Sequence, residues 1–187
     1  KEPPKGWSPR IIILNGPPRS GKDTLGEGVA NALNMRTLRF SQPLKNALCA
    51  MFDTNFEELE AHKDEPVELL FNQTFRRLQI EMSEGYLKKL CGAHVFGVLA
   101  ARHMYKWWRR YYRGVVLTDC GFTPEVLAFL QYFSKYQPRP ALFRLHREGT
   151  DFASDSRSYI SIPPLLGVPD YDIYNNGTPD EGRSEEH

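Results

Sequence analysis

The chain has few cysteines, no long apolar run and almost no net charge, and each shortage closes off a class of protein. Only Cys49, Cys91 and Cys120 occur in 187 residues. Their number is odd and no two stand at metal-ligand spacing, so neither a disulfide framework nor a zinc site is expected. No hydrophobic stretch approaches the ~20 residues that span a bilayer, and no signal-peptide core stands near the start. A formal net charge of +1 gives no global attraction to DNA or to an anionic membrane. Internal repeats and low-complexity tracts are absent too. What is there, 41% hydrophobic and 25% charged residues, is the composition of a globular domain with an ordinary buried core. A reducing cytoplasm is the expected setting.

Residues 11–14, Ile-Ile-Ile-Leu, lie between Pro9 and the run Gly16-Pro17-Pro18, which reads as a strand buried on both faces. Leu25, Val29, Ala32 and Leu33 then recur at helical spacing, predicting a helix to about Asn34. Residues 37–40 suit a short strand, followed by a helix capped by Ser41 with Pro43 in its first turn. Residues 55–112 read as mainly helical, with breaks near Pro66, Gly85 and Gly92. Strands are expected at 114–119, 141–145 and 171–174, and a helix at 123–136. The Gly-, Ser-, Asp- and Pro-rich stretch 147–169 reads as a lid or long loop. Residues 1–6 and 182–187 read as loose ends. Strands alternating with helices imply one α/β domain over residues 1–187, with its core at 10–181. Its parallel sheet should have about five strands and helices on both faces.

Directly after the first strand come Gly16, four residues, Gly21 and Lys22. Glycines let a backbone wrap a phosphate with its N–H groups aimed inward, and a helix starting near Lys22 adds its positive dipole end. Arg19 and Ser20 complete that loop, and Lys22 has the length to reach β- and γ-phosphates. A strand before and an amphipathic helix after are the setting a nucleotide-binding P-loop requires. ATP and Mg²⁺ are therefore the expected cofactors. The usual Ser/Thr after the lysine is replaced by Asp23; as a hard oxygen donor it is a metal candidate, with Thr24 competing.

The segment from Gly16 to Thr24, ending Gly-Lys-Asp-Thr, resembles the phosphate loop of phage deoxynucleoside monophosphate kinases. Four further segments are similar to the same family in the same order. They are Phe40-Ser41-Gln42-Pro43-Leu44-Lys45; Arg76-Arg77-Leu78-Gln79 with Ser83 to Lys88 and Phe96-Gly97; Val115 to Phe122 with Glu125; and Asp172 to Thr178. The last is also similar to dephospho-CoA kinases. The resemblance spans residues 10–181 and implies a fold of the nucleoside monophosphate kinase type. An acceptor-binding helical region would lie at about 41–112 and a lid at about 147–169. Two departures stand out. Gly121 occupies the arginine position of an Asp-x-Arg-Phe pattern, and the lid reads Asp155-Ser156-Arg157-Ser158-Tyr159.

The expected roles follow. Lys22, Arg147 and Arg157 stabilise the moving phosphoryl group, because positioned cations match the charge spread over its oxygens. Lys45 and one of Arg76 and Arg77 hold the acceptor phosphate; neighbours on a helix point about 100° apart, so the two arginines do not serve equally. Asp119, at a strand's carboxyl end, is placed for metal-bound water, the acceptor sugar or the attacking oxygen, or else caps a turn. Gln79 offers donor and acceptor to a base edge. Phe40, Tyr86 or Phe96 would stack on the base, although such aromatics are more often core. The aromatic and basic run 104–113 suits nucleic acid in composition, but reads better as a helix end with wet arginines. The leading expectation is a kinase with a deoxynucleoside monophosphate as small-molecule acceptor. A kinase acting on a hydroxymethylated base within DNA and a non-catalytic ATP-binding module are the alternatives. No membrane partner is expected, and a homodimer is compatible with the sequence.

Overall fold

The computed structural model describes residues 2–153 and 155–176. The loose end expected at 182–187 and the last two residues of the Asp172 to Thr178 segment lie outside the described residues. Five parallel strands form the main sheet: β1 (Arg10–Asn15), β2 (Arg36–Leu38), β5 (Gly114–Cys120), β6 (Arg139–His146) and β7 (Asp170–Tyr174), in the order β2-β5-β1-β6-β7. A two-residue hairpin, β3 (Pro66–Val67) and β4 (Gln73–Thr74), stands apart.

Alternation along the strands decides what covers the sheet. Ile11, Ile13, Val115, Leu117 and Leu142 belong to the larger core cluster, with residues of α2 (Gln42–Met51), α6 (Val95–Lys106) and α7 (Thr123–Phe133). Leu14, Val116 and Leu145 face the other way, against Ala30 and the half-buried Leu25 and Val29 of α1 (Lys22–Ala32). Helices therefore lie on both faces of a sheet whose central strand is β1, as the apolar run at 11–14 requires.

The helical region departs from the sequence reading in two places. The hairpin around residues 66–74 replaces expected helix. The chain also does not break near Gly85: α4 (Phe75–Ile80), a π-helical stretch Glu81–Leu87 and α5 (Lys88–Cys91) follow one another without interruption. The break at Gly92 is present, with φ 94°. A short helix α3 (Phe56–Ala61), capped by the Asn55 side chain accepting from the Glu58 N–H, packs beside α2. The helix expected to Tyr136 ends at Phe133 and continues as a 3₁₀ turn, Ser134–Tyr136.

The stretch expected as a lid divides. Residues 147–153 and 155–156 form a loop without regular structure. Residues 157–160 are fixed to the carboxyl ends of β1 and β5 by Asn15, which is fully buried. Its Nδ2 donates to Cys120 O at 2.9 Å and Ser158 O at 3.0 Å, and its Oδ1 accepts from Ile160 N at 2.8 Å. Arg144 Nε donates to Ile160 O, and Ile160 is itself core. This strap is part of the sheet's edge.

Candidate functional site

The loop between β1 and α1 is built on two left-handed residues, Arg19 at φ 65° and Gly21 at φ 89°. Such backbone turns its N–H groups to one side, and the first N–H groups of α1 have no acceptor within their helix. Gly16 is closely packed: a Cβ there would come 2.7 Å from Ser20 Oγ and 2.9 Å from Leu145 O. Ser20 is fully buried, and its hydroxyl has no hydrogen-bond partner among the described residues. Asn175, just beyond β7, donates from Nδ2 to Ser20 O at 2.9 Å and from its backbone N to His146 O at 2.8 Å. It braces the loop from the far side of the sheet.

Lys22 is 6% exposed, and its ammonium donates to Pro17 O at 3.0 Å. Burial, and after it the Arg157 guanidinium, pull its pKa below the ordinary lysine value, against the opposing field of Asp23, Asp119 and Asp155. These five charges thus share one small volume at the carboxyl end of the sheet, where open α/β sheets hold their ligands.

Arg157 lies on the strap, not on a free lid. Its stem crosses Gly121, where any Cβ would overlap Cβ, Cγ and Cδ of the arginine, and Ser158 N donates to Gly121 O at 3.1 Å. Asp155 accepts from its backbone N at 3.0 Å, from Nε at 2.8 Å and from Nη2. That pairing raises the arginine's pKa, and hydrogen bonds from Arg157 hold the Asp155 carboxyl low despite its burial. The residue read as a missing arginine at 121 is the bed for this one. Arg147 opens the loop after β6, with Nη1 3.5 Å from Arg19 O.

The expected acceptor residues separate. Arg76 pairs through Nε and Nη2 with Asp64. Arg77 turns away to Gln73 Oε1 at 2.8 Å. Gln79 stands one turn after Arg76, and its Nε2 is buried without a partner. Lys45 is held by Glu60, which also accepts from Lys63 at 3.0 Å, and it covers the Phe56 ring; it ties α2 to α3. Asp119 accepts from Phe40 N at 2.7 Å and Ser41 N at 2.9 Å, so its oxygens fix the turn entering α2. The Phe40 ring is 2% exposed and 5.8 Å from the Phe129 ring, so it is packed in the core, the alternative weighed for such aromatics. Phe96 is core as well, and Tyr86 is exposed.

Sequence reasoning gave no role to a buried pair that joins α5 to α7. Lys88 Nζ lies 3.0 Å from Glu125 Oε1 and 3.1 Å from the centre of the Phe122 ring. Burial pushes the Glu125 carboxyl up to about 7; Lys88 opposes the rise, and Asp119 and Glu84 add to it. Glu84 accepts from Ser156 Oγ at 2.6 Å, joining the helix to the loop. Asn15 was also overlooked, a polar residue ending the apolar run being the one available signal for it; Asn175 stood within the Asp172 to Thr178 segment but was given no role.

The donor set fits a polyphosphate: a glycine-lined cradle, an orphaned serine hydroxyl and a buried ammonium converge. It does not form a metal cage. No group of three or more His, Cys, Asp or Glu side chains stands at metal-binding distance among the described residues. Asp23 is more than half exposed and 3.3 Å from Arg39, and Thr24 is exposed. A hard cation such as Mg²⁺, which keeps most of its waters, would need only one such carboxylate beside the phosphates it accompanies.

No family model matches the chain, and no curated protein matches it. Among solved structures, it is similar to a protein from Chloroflexus aurantiacus described as a putative kinase, at 14% identity and a TM-score of 0.48, over 90% of this chain and 86% of that one. It is also similar to a sugar kinase from Janibacter, at 11% identity and a TM-score of 0.46, over 92% and 89%. The α/β architecture stands on the sheet order and its covering helices.

Proposed function

We propose that this chain is an ATP-dependent phosphotransferase whose acceptor is a deoxynucleoside monophosphate. The observation that carries the reading is the buried Lys22 ammonium, held by Pro17 O inside the Gly16–Gly21 turn at the carboxyl end of a parallel sheet. The turn's N–H groups and Lys22 hold the β- and γ-phosphates. Arg157 and Arg147 sit at the phosphoryl group from the strap and the loop. Bound Mg²⁺, next to Asp23 or Thr24, would neutralise charge between the phosphates. The acceptor enters between the strap and α4, its phosphate toward Arg76 and its base toward the unpaired Gln79 amide. A phosphate acceptor is already ionised, so position and charge do the catalysis.

The test is ATP consumption against a panel of deoxynucleoside monophosphates, coenzyme precursors and hydroxymethyluracil-containing DNA. One free monophosphate should turn over, and Lys22→Ala should reduce transfer to it by ~100-fold or more. Wild-type turnover in that variant would remove the assignment of the loop. Glu125 favours a second reading. A carboxyl titrating at about 7 suits a general base, which a hydroxyl acceptor such as a hydroxymethylated base requires and a phosphate does not. Activity on the DNA alone would establish that reading instead.

A further inference from the structure

The opposite edge of the sheet carries a second cluster that the proposed reaction does not use. Arg10 and Arg139 begin β1 and β6, and Arg113 directly precedes β5. They line one cavity of about 280 Å³ together with Trp7, Ser8, Leu33 and Tyr112. No carboxylate lines it, and none of the three arginines makes an ion pair among the described residues.

Arg10 and Arg139 are also direct partners in the parallel register, so both side chains leave the sheet on the same face. Like charges placed so cost stability, and no acid offsets them here. Trp7 is fixed by its Nε1 donating to Tyr112 O at 2.8 Å, whereas Tyr112, which also lines the cavity, is 55% exposed, with its ring 6.0 Å from that of Trp108. Arg36 begins β2 in register with Val115, and Arg110 lies three residues before Arg113. Local charge is thus strongly positive in a chain of net charge +1.

We propose that this cavity is a second binding site that takes a nucleotide unit, its phosphate on Arg10, Arg113 and Arg139 and its base against the ring of Tyr112. Arginine forks match phosphate oxygens two at a time, and an aromatic face accepts any base. The volume is close to the ~300 Å³ at which small-ligand pockets begin, so one unit fills it. That unit can be a free mononucleotide or one residue of a nucleic acid strand. β5 is seven residues long, which at ~3.3 Å per residue puts about 20 Å between this cavity and Asp119. Occupation of one site leaves the other open.

The test uses full-length protein carrying Lys22→Ala, so that the phosphate loop does not obscure the result. Fluorescence anisotropy of a short labelled oligothymidylate is measured at low and high salt, with free thymidine monophosphate as competitor. Binding should fall with salt and should weaken roughly tenfold or more in Arg10→Gln/Arg139→Gln, the loss expected for charged hydrogen bonds. The thermal midpoint of that double variant should equal or exceed that of its parent, since two like charges in register are removed. Displacement by the monophosphate identifies a mononucleotide site; binding of the strand without displacement identifies nucleic acid. Absence of binding by both ligands at low salt, or equal binding in the double variant, would overturn the proposal. Neither outcome bears on the phosphotransferase assignment, which is read from turnover.

Discussion

At the scale of the residue, the site is a set of charges held away from their ordinary states. Lys22 and Glu125 are each buried against the preference of their charged form, and each has a partner that offsets only part of the cost. Glu125 gives the clearest measurable sign. Unfolded, its carboxyl releases a proton near 4.5; folded, it keeps that proton to about 7. Between those values the native state binds more protons, so this group's contribution to stability falls as pH rises through that window and is flat above it. Glu125→Gln should therefore flatten the pH dependence of the denaturation midpoint between about pH 5 and pH 7. An unchanged slope would show that Glu125 titrates normally. Phe40 teaches the converse lesson: an aromatic next to a proposed site is placed by the core it fills, and here that core includes Phe129.

At the scale of the element, the strap determines how Arg157 acts. Asn15 satisfies two buried backbone groups, Cys120 O and Ile160 N, each worth about 1–3 kcal/mol when orphaned, and ties the exposed Ser158 to them through its carbonyl. Arg157 is thus positioned before any ligand arrives, with Gly121 beneath it. Gly121→Ala should push the guanidinium aside and lower transfer as Arg157→Ala does. The double variant should be no worse than Arg157→Ala alone, a non-additivity that kcat measurements on the four proteins would expose. Additive losses would mean that Gly121 acts some other way. The strands and flanking helices were legible because apolar runs bounded by proline and glycine announce themselves locally. The Gly16–Lys22 loop was legible for the same reason. The strap was not, since Asn15 and Ile160 lie far apart in the chain and neither carries a sign of the other. Two-residue strands such as β3 have no period to read, and a π-helical stretch keeps a helix running through Gly85 where composition suggests a stop.

At the scale of the whole molecule, two edges of one sheet carry two kinds of chemistry. The carboxyl edge mixes buried charges of both signs, whereas the amino edge gathers arginines without an ion pair among the described residues, and β5 spans the distance between them. The strand order carries a cost during synthesis. β1 is the centre of the sheet, yet its neighbours β5 and β6 begin at Gly114 and Arg139. A ribosome adding roughly 5–20 residues per second needs several seconds to supply the first of them. For that interval Ile11, Ile12 and Ile13 have no strand to pair with, a short β-prone stretch of the kind that seeds aggregation. A fragment ending at residue 112 should accordingly be recovered in the insoluble fraction, and one ending at residue 176 in the soluble fraction, on expression under the same conditions. The same burial that makes β1 a rigid base for the Lys22 loop leaves the nascent chain dependent on its second half for protection.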